Sequence, residues 1–313
     1  TTPMLKTGSL RNDSLPSAFR RYRSQVDLAM KSGLGDGEAV PVYDMIRYSM
    51  GWVDVDGEPC VAMEGKALRP TLCLFACEAV GGSAKAAMPA AVALELIHNF
   101  SLIHDDIQDR DETRHHRPTV WKAWGEAEAL DAGNTMRVKA DLALHKLTAA
   151  GVPAATAVEA GALLNEVLLE MVQGQYLDVS FEDRGDVGLR EYFRMISMKT
   201  GALIRFSCEA GAILAGAPEK ARHALHLFAH DLGFAFQITD DLLDAEGDSA
   251  ALGKATRKDA AAGKATFVTV LGIDPARARA RLLVRQATAH LDIFDENTAH
   301  LRQIAEYVLE RQR

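Results

Sequence analysis

Six aspartates stand in two copies of one pattern. Asp105-Asp106-Ile107-Gln108-Asp109 closes an apolar run that starts near Leu96, and Asp240-Asp241-Leu242-Leu243-Asp244 closes another that starts near Gly233. If each run is helical, its first and third acids lie four residues apart and its second and third lie three apart, so all three crowd one end of one face. Like charges at that spacing repel. A hard divalent cation reverses the sign, because Mg2+ takes oxygen ligands, commonly carboxylates completed by substrate phosphate. One such pattern is as readily a solvated acidic turn as a metal site. Two, each ending a long apolar segment, can face one another across a helical core, which is how bundles build metal sites.

Cationic side chains accompany both stretches. Glu64-Gly65-Lys66-Ala67-Leu68-Arg69-Pro70 sets two of them three residues apart. Arg114-His115-His116-Arg117 follows the first acidic stretch, and a Gly-punctuated segment carrying Lys254 and Lys264 follows the second. Lys66 and Arg69 alone could be a solvated helix start. Arginine forks, however, match phosphate oxygens two at a time, and acids interleaved with cations suit a diphosphate held through several Mg2+ ions. Lys199-Thr200 sits inside a further helical segment, where the bland reading is two exposed polar residues. His98 lies about two turns before Asp105, and a lone histidine on an apolar helix is usually a packed core residue. No Ser/His/Asp or Cys/His arrangement demands a covalent mechanism.

Helices must position these groups. The chain has 313 residues, 48% of them hydrophobic and 6% aromatic, with a formal net charge of −8. Abundant Ala and Leu favour helix, and the apolar fraction is ample for a core. The negative charge argues against a general nucleic-acid binder. Helical periodicity runs over residues 18–30, 43–52, 70–80, 86–109, 121–147, 155–176, 189–216 and 221–243, with two amphipathic helices after Asp274. No alternating strand pattern and no repeat of roughly 20 to 50 residues appears. The expected architecture is one all-α domain over residues 1–313, with a polar, frayed stretch over residues 1–15. No uninterrupted apolar run of about 18 residues appears, so no membrane span is expected. The first residues lack the apolar centre of a secretory signal. Cys73 and Cys77, four apart in an apolar helix, read as reduced core residues, and a cytoplasmic location is expected.

Taken together, these motifs resemble the trans-isoprenyl diphosphate synthases of the polyprenyl synthetase family, from about Tyr43 to the C-terminus. The resemblance implies the isoprenoid synthase fold, a helical bundle around a central apolar cavity, commonly homodimeric. It implies head-to-tail transfer of an allylic diphosphate onto isopentenyl diphosphate, with Mg2+ (three ions by the family's pattern) held by Asp105, Asp106, Asp109, Asp240, Asp241 and Asp244. Lys66, Arg69 and His98 would contact isopentenyl diphosphate. Arg114, Lys199, Lys254 and Lys264 would share the charge of the allylic diphosphate, while Thr200 and Gln237 face the developing cation and Gln175 and Asp178 close the cavity wall. The chain departs from the pattern at several points. Glu64 and Ala67 stand where the family has a glycine and a further basic residue, Asn134 stands where it has an aspartate, and His115 replaces a second arginine. Histidine is only partly charged near neutral pH, and Arg117 is a second candidate cation there.

Product length is expected to turn on Phe100 and Ser101. Phe100 lies about 7.5 Å below Asp105 at 1.5 Å per residue, so its ring could floor the space into which a prenyl tail grows. With no insertion inside Asp105–Asp109, the arrangement resembles the short-chain geranylgeranyl type, with the farnesyl type as the alternative. Two rivals share the acidic mouth. A class I terpene cyclase needs no isopentenyl diphosphate site, so retention of Lys66, Arg69 and His98 speaks against it. A non-catalytic regulatory subunit should have lost an acidic stretch, and both are complete.

Overall fold

The computed structural model describes residues 16–34, 40–60, 67–181, 184–250, 266–294 and 296–311. The expectations on residues 1–15, Lys66, Lys254 and Lys264 lie outside these residues.

Fourteen α-helices and one π-helical turn can be numbered among the described residues. Helices α1 (Ser17–Arg21), α2 (Arg23–Leu34) and α3 (Val42–Ser49) precede the long central pair α4 (Leu68–Ala79) and α5 (Ala84–Gln108). A small antiparallel hairpin, β1 (Thr113–Arg114) with β2 (Arg117–Pro118), leads to α6 (Val120–Trp124), α7 (Glu126–Leu144) and α8 (Ala154–Phe181). Next come α9 (Leu189–Ile196), the π turn Ser197–Gly201, α10 (Ala202–Leu214) and α11 (Glu219–Ala250). The chain ends with α12 (Phe267–Leu271), α13 (Ile273–His290) and α14 (Ala299–Glu310). The helical segment expected over residues 121–147 is broken at Gly125, whose φ of 117° is open to glycine but not to L side chains. The hairpin was not expected at all: two-residue strands leave no alternation to read.

Helix α5 is the axis of the fold. It packs along α7 and against α4, α10 and α2, and it buries Leu94, Leu96, Ile97 and Ile103. Burying each such side chain is worth roughly 1.5–3 kcal/mol, far more than the propensity of any single residue. On the other side α11 lies against α10 and α13. Helix α5 is also long and apolar enough to cross a membrane by length and composition, but half of its apolar window is packed inside the bundle. It is a core helix that also carries Glu95, Asp105 and Asp106.

Candidate active site

The two acidic stretches come to one mouth. Asp109 from the end of α5 and Asp244 from within α11 line the same cavity of about 260 Å3, together with Asp178, Lys199, Thr200 and Gln237. The first stretch occupies the last turn of α5, with Asp109 as its C-cap, where the backbone already presents partial negative charge. Burial, reinforced by the charge of Asp109, pushes the Asp105 carboxyl up to about 6 against the pull of Lys199.

Lys199 is the cation at the centre. Its ammonium donates to Asp178 Oδ2 at 2.6 Å and stands 3.9 Å from Asp105 Oδ2. Burial works against its charge, yet Asp105 and Asp178 hold its pKa above the usual lysine range. Beside it, Thr200 Oγ1 donates to Gln237 Oε1 at 3.2 Å, and Gln237 Nε2 donates to Asp241 Oδ1 at 2.9 Å.

Within each stretch the second acid is buried and held by several donors, Asp241 doing so at the wall of the same cavity. Asp106, 5% exposed, accepts two bonds from Arg114, through Nε at 2.9 Å and Nη2 at 2.7 Å. Asp241, 8% exposed, also accepts from the Tyr192 hydroxyl at 2.7 Å and the Phe267 backbone N–H at 2.9 Å. Burial raises both carboxyls against these donors. Asp240 meets Arg311 at 2.7 Å, and the same guanidinium donates to Phe236 O and lies 3.9 Å over the Phe236 ring.

A second group lies behind the mouth. Glu95 is buried and Arg69 half-buried, their charges act on one another, and Asp240 adds to the pull on Arg69. Burial still lowers the Arg69 guanidinium to about 10, and its Nε has no hydrogen-bond partner. A buried guanidinium donor without an acceptor is costly and marks a place for an anion. Immediately before this helix Ala67 is left-handed, at φ 48°, a conformation costing an L residue about 1–2 kcal/mol. Burial, with Arg69 and Arg114 nearby, holds the His98 imidazole well below its usual pKa, so it is neutral.

Other expected residues stand apart. His115 and His116, at φ 50° and 62°, form the tight turn of the hairpin, where histidine is among the non-glycine residues that tolerate the left-handed region. Desolvation, Arg114 and His116 lower the His115 pKa, so the partly charged imidazole expected there carries less charge than an ordinary histidine. Arg117 donates to Tyr48 O and Val53 O and stacks 4.0 Å over the Tyr48 ring, so it does not stand in for the missing arginine. Phe100 is half-buried against the core and meets His104 edge-on at 4.8 Å; the mouth cavity is lined by other residues. Ser101 bonds its own helix at His98 O. Gln175 donates to Gln108 at 2.8 Å.

Sequence reading missed Glu95, Tyr192 and Arg311. Only Glu95 left a signal, a single acid inside the apolar run Ala93-Leu94-Glu95-Leu96-Ile97 and three residues before His98, since an acid is buried only with a partner. Tyr192 and Arg311 reach the site from elements distant in sequence.

For magnesium the donors fit: the mouth offers carboxylate oxygens from two facing helices, the ligands a hard cation prefers. Among the described residues no three ligating side chains yet converge on one point. Lys199 and Arg311 stand against Asp105 and Asp240 instead.

An all-helical bundle with two acidic stretches across one cationic mouth is the isoprenoid synthase fold. The chain belongs to the polyprenyl synthetase family, which it matches over residues 56–307. It is 44% identical over 223 residues to a (2E,6E)-farnesyl diphosphate synthase of Mycobacterium tuberculosis, covering 71% of this chain and 61% of that one. A geranylgeranyl diphosphate synthase of Methanosarcina mazei is 37% identical over 93% of this chain and 82% of its own. Among solved structures, a geranylgeranyl pyrophosphate synthetase from the archaeon Geoglobus acetivorans superposes with a TM-score of 0.81 at 31% identity, covering 94% and 98% of the two chains.

Proposed function

We propose that this chain is a short-chain trans-prenyltransferase that joins isopentenyl diphosphate to an allylic diphosphate. The observation that carries this reading is the meeting of Asp109 and Asp244 around Lys199 and Thr200 in one cavity. Membership of a family whose similar members bear farnesyl and geranylgeranyl diphosphate synthase names supports it.

Mg2+ held by the outward acids Asp105, Asp109, Asp240 and Asp244 would supply neutralisation of the diphosphate and of its leaving charge. Lys199 and Arg114 add fixed positive charge on the same side, present before the reaction and therefore free of reorganisation cost. The allylic C–O bond breaks and its electron pair leaves with the diphosphate. Thr200 and Gln237 present oxygen dipoles to the allylic cation. Arg69, held in the interior beside Glu95, takes the diphosphate of isopentenyl diphosphate and aims its double bond at that cation. The new C–C bond forms, and the proton lost in restoring a double bond passes to the released diphosphate. Incubation with an allylic diphosphate and Mg2+, with and without isopentenyl diphosphate, tests this. A longer linear diphosphate formed only with isopentenyl diphosphate is expected, whereas a cyclic hydrocarbon without it would make the chain a cyclase.

For product length we infer twenty carbons, with fifteen second, from the ring of Phe100 on α5 below Asp105. Opening that floor with Phe100→Ala should shift products to twenty-five carbons or longer. A folded variant with unchanged product would place the floor elsewhere. We also infer a homodimer. Helix α8 exposes Leu169, Val172 and Tyr176, and neighbouring α7 exposes Val138 and Leu142, an apolar face that a second copy would cover. A monomer in light scattering at micromolar concentration would exclude it.

A further inference from the structure

Lys199 and Thr200 do not sit in an ordinary helix. They lie in the π turn Ser197–Gly201 between α9 and α10, and such turns are uncommon, cluster at functional sites and displace backbone hydrogen bonds from their regular partners. Something must hold the turn. Arg205, one turn further along on α10 and 13% exposed, reaches back and donates through Nη1 to Ser197 O at 3.1 Å and to Ser197 Oγ at 3.2 Å. Its Nη2 donates to Glu170 Oε1 on α8 at 2.5 Å.

Glu170 belongs to a stripe. Glu170, Gly174 and Asp178 stand at intervals of four on α8, one above another on a single face. Each meets a different level of the π turn. Glu170 holds the guanidinium that caps Ser197. A Cβ on Gly174 would come within 2.3 Å of Lys199 N and 2.7 Å of Met198 C, so the two backbones touch there. Asp178 takes the Lys199 ammonium at 2.6 Å. One face of α8 therefore contacts the turn at its base, its middle and its tip.

We propose that Arg205 and Glu170 are positioning residues: by bracing Ser197 against α8 they hold the π turn in register and so aim Lys199 and Thr200 into the mouth. The inference rests on the prenyltransfer reading for its kinetic consequence but not for its geometry. Neither side chain lines the mouth cavity, so the effect passes through the backbone. A surface ion pair alone would contribute little; here the guanidinium is shared between a carboxylate and a main-chain carbonyl of the turn itself.

The test uses Arg205→Met and Glu170→Gln in the full chain. A misplacement of about 1 Å at the reacting groups can cost on the order of 100-fold. Both variants should lose about 10- to 100-fold in kcat while KM for isopentenyl diphosphate moves less than about twofold, because Arg69 and His98 lie on α4 and α5. Arg205→Lys, which keeps one donor and the charge, should recover part of the loss. A general loosening of the fold would raise KM as well. Normal kcat in both folded variants overturns the proposal. A crystal structure of Arg205→Met decides independently of any substrate: the π turn should relax and the Lys199–Asp178 bond should open. An unchanged turn and bond overturn the inference, whereas an inactive wild-type chain would overturn only the functional reading.

Discussion

Asp106 lies beneath Arg114 in the first acidic stretch and Asp241 beneath Tyr192 in the second, yet the settings differ. The first stretch ends α5, so its outer acids add to the negative end of a helix dipole. The second lies within α11, which continues to Ala250. Asp106 is fixed by one charged fork from a hairpin that is itself partly exposed, while Asp241 is fixed by three uncharged donors from three elements. The same five-residue spelling thus divides its labour in both places. The second acid ties in a neighbouring segment, the β1–β2 hairpin or the start of α12, although Asp241 also lines the mouth beside Asp109 and Asp244.

The sharpest way to break that division is to remove the outer acids. Asp105→Ala and Asp240→Ala should each lower turnover by at least about 1,000-fold, because each removes a carboxylate that would hold metal against the developing leaving-group charge, and Asp240→Ala should also lower the thermal midpoint by stranding the buried Arg311. Steady-state rates at saturating Mg2+ check this. Near-normal turnover in either variant would end the assignment of that stretch to metal.

The second acids should behave differently from the outer ones and from each other. Asp241→Asn puts an NH2 group against donors, leaving at least one buried donor unsatisfied at a cost of about 1–3 kcal/mol, read as a fall of several degrees in midpoint. Asp106→Asn loses a pair whose arginine is 36% exposed, so screening limits the stability cost. Its main effect should be a rise of about tenfold in KM for the allylic diphosphate, as Arg114 loses its anchor. If Asp241→Asn instead kept its midpoint and lost turnover as Asp240→Ala does, the division of labour would be wrong.

Much of this mouth was legible in the sequence because its chemistry lies in contiguous stretches ending apolar runs. Asp105 to Asp109, Asp240 to Asp244, and Lys199-Thr200 announce themselves by residue type and helical spacing, and the fold class follows from the same runs. What could not be read depends on tertiary contact. Nothing in Leu189 to Ile196 marks Tyr192 as a partner of Asp241, and nothing near the C-terminus marks Arg311 as the cation beside Asp240. The hairpin escaped because two residues per strand carry no period. The π turn escaped because helical periodicity over residues 189–216 survives one inserted residue.

Titration offers a gentler probe of the first stretch. The Asp105 carboxyl stands at about 6 in the folded chain and near 3.9 when unfolded, so between these values the folded state holds the extra proton. The Asp105 contribution to the stability of the metal-free protein should therefore fall as pH rises from about 4 to 6, by at most about 3 kcal/mol, with no further loss from this group above. Metal requires the carboxylate. Mn2+ affinity should accordingly climb with pH by up to about tenfold per unit below 6 and then level. Calorimetric titrations of wild type and Asp105→Asn separate the cases, since the variant should show a shallower slope, keeping only what the raised Asp106, Asp241 and Glu95 carboxyls contribute. A slope as steep in the variant as in wild type would assign the proton to another group.

The smallest expected effect belongs to the hairpin that hangs from Asp106. His115 occupies the place of a second arginine, and an ordinary imidazole there would make His115→Arg more beneficial at pH 8 than at pH 6. The structure changes that expectation. Desolvation first, then the charge of Arg114 and the neighbouring His116, lower the His115 pKa, so the ring carries less charge at pH 6 than an ordinary histidine. The substituted guanidinium should lower KM for isopentenyl diphosphate by a few-fold at both pH values, no more, because the side chain is exposed and its charge is screened. It should also cost a little stability. Position 115 is left-handed at φ 50°, where arginine is tolerated less well than histidine. Paired KM measurements at pH 6 and pH 8 decide the matter. A gain confined to pH 8 would show an ordinary histidine, and no gain at either would show that the hairpin turn does not reach the second diphosphate.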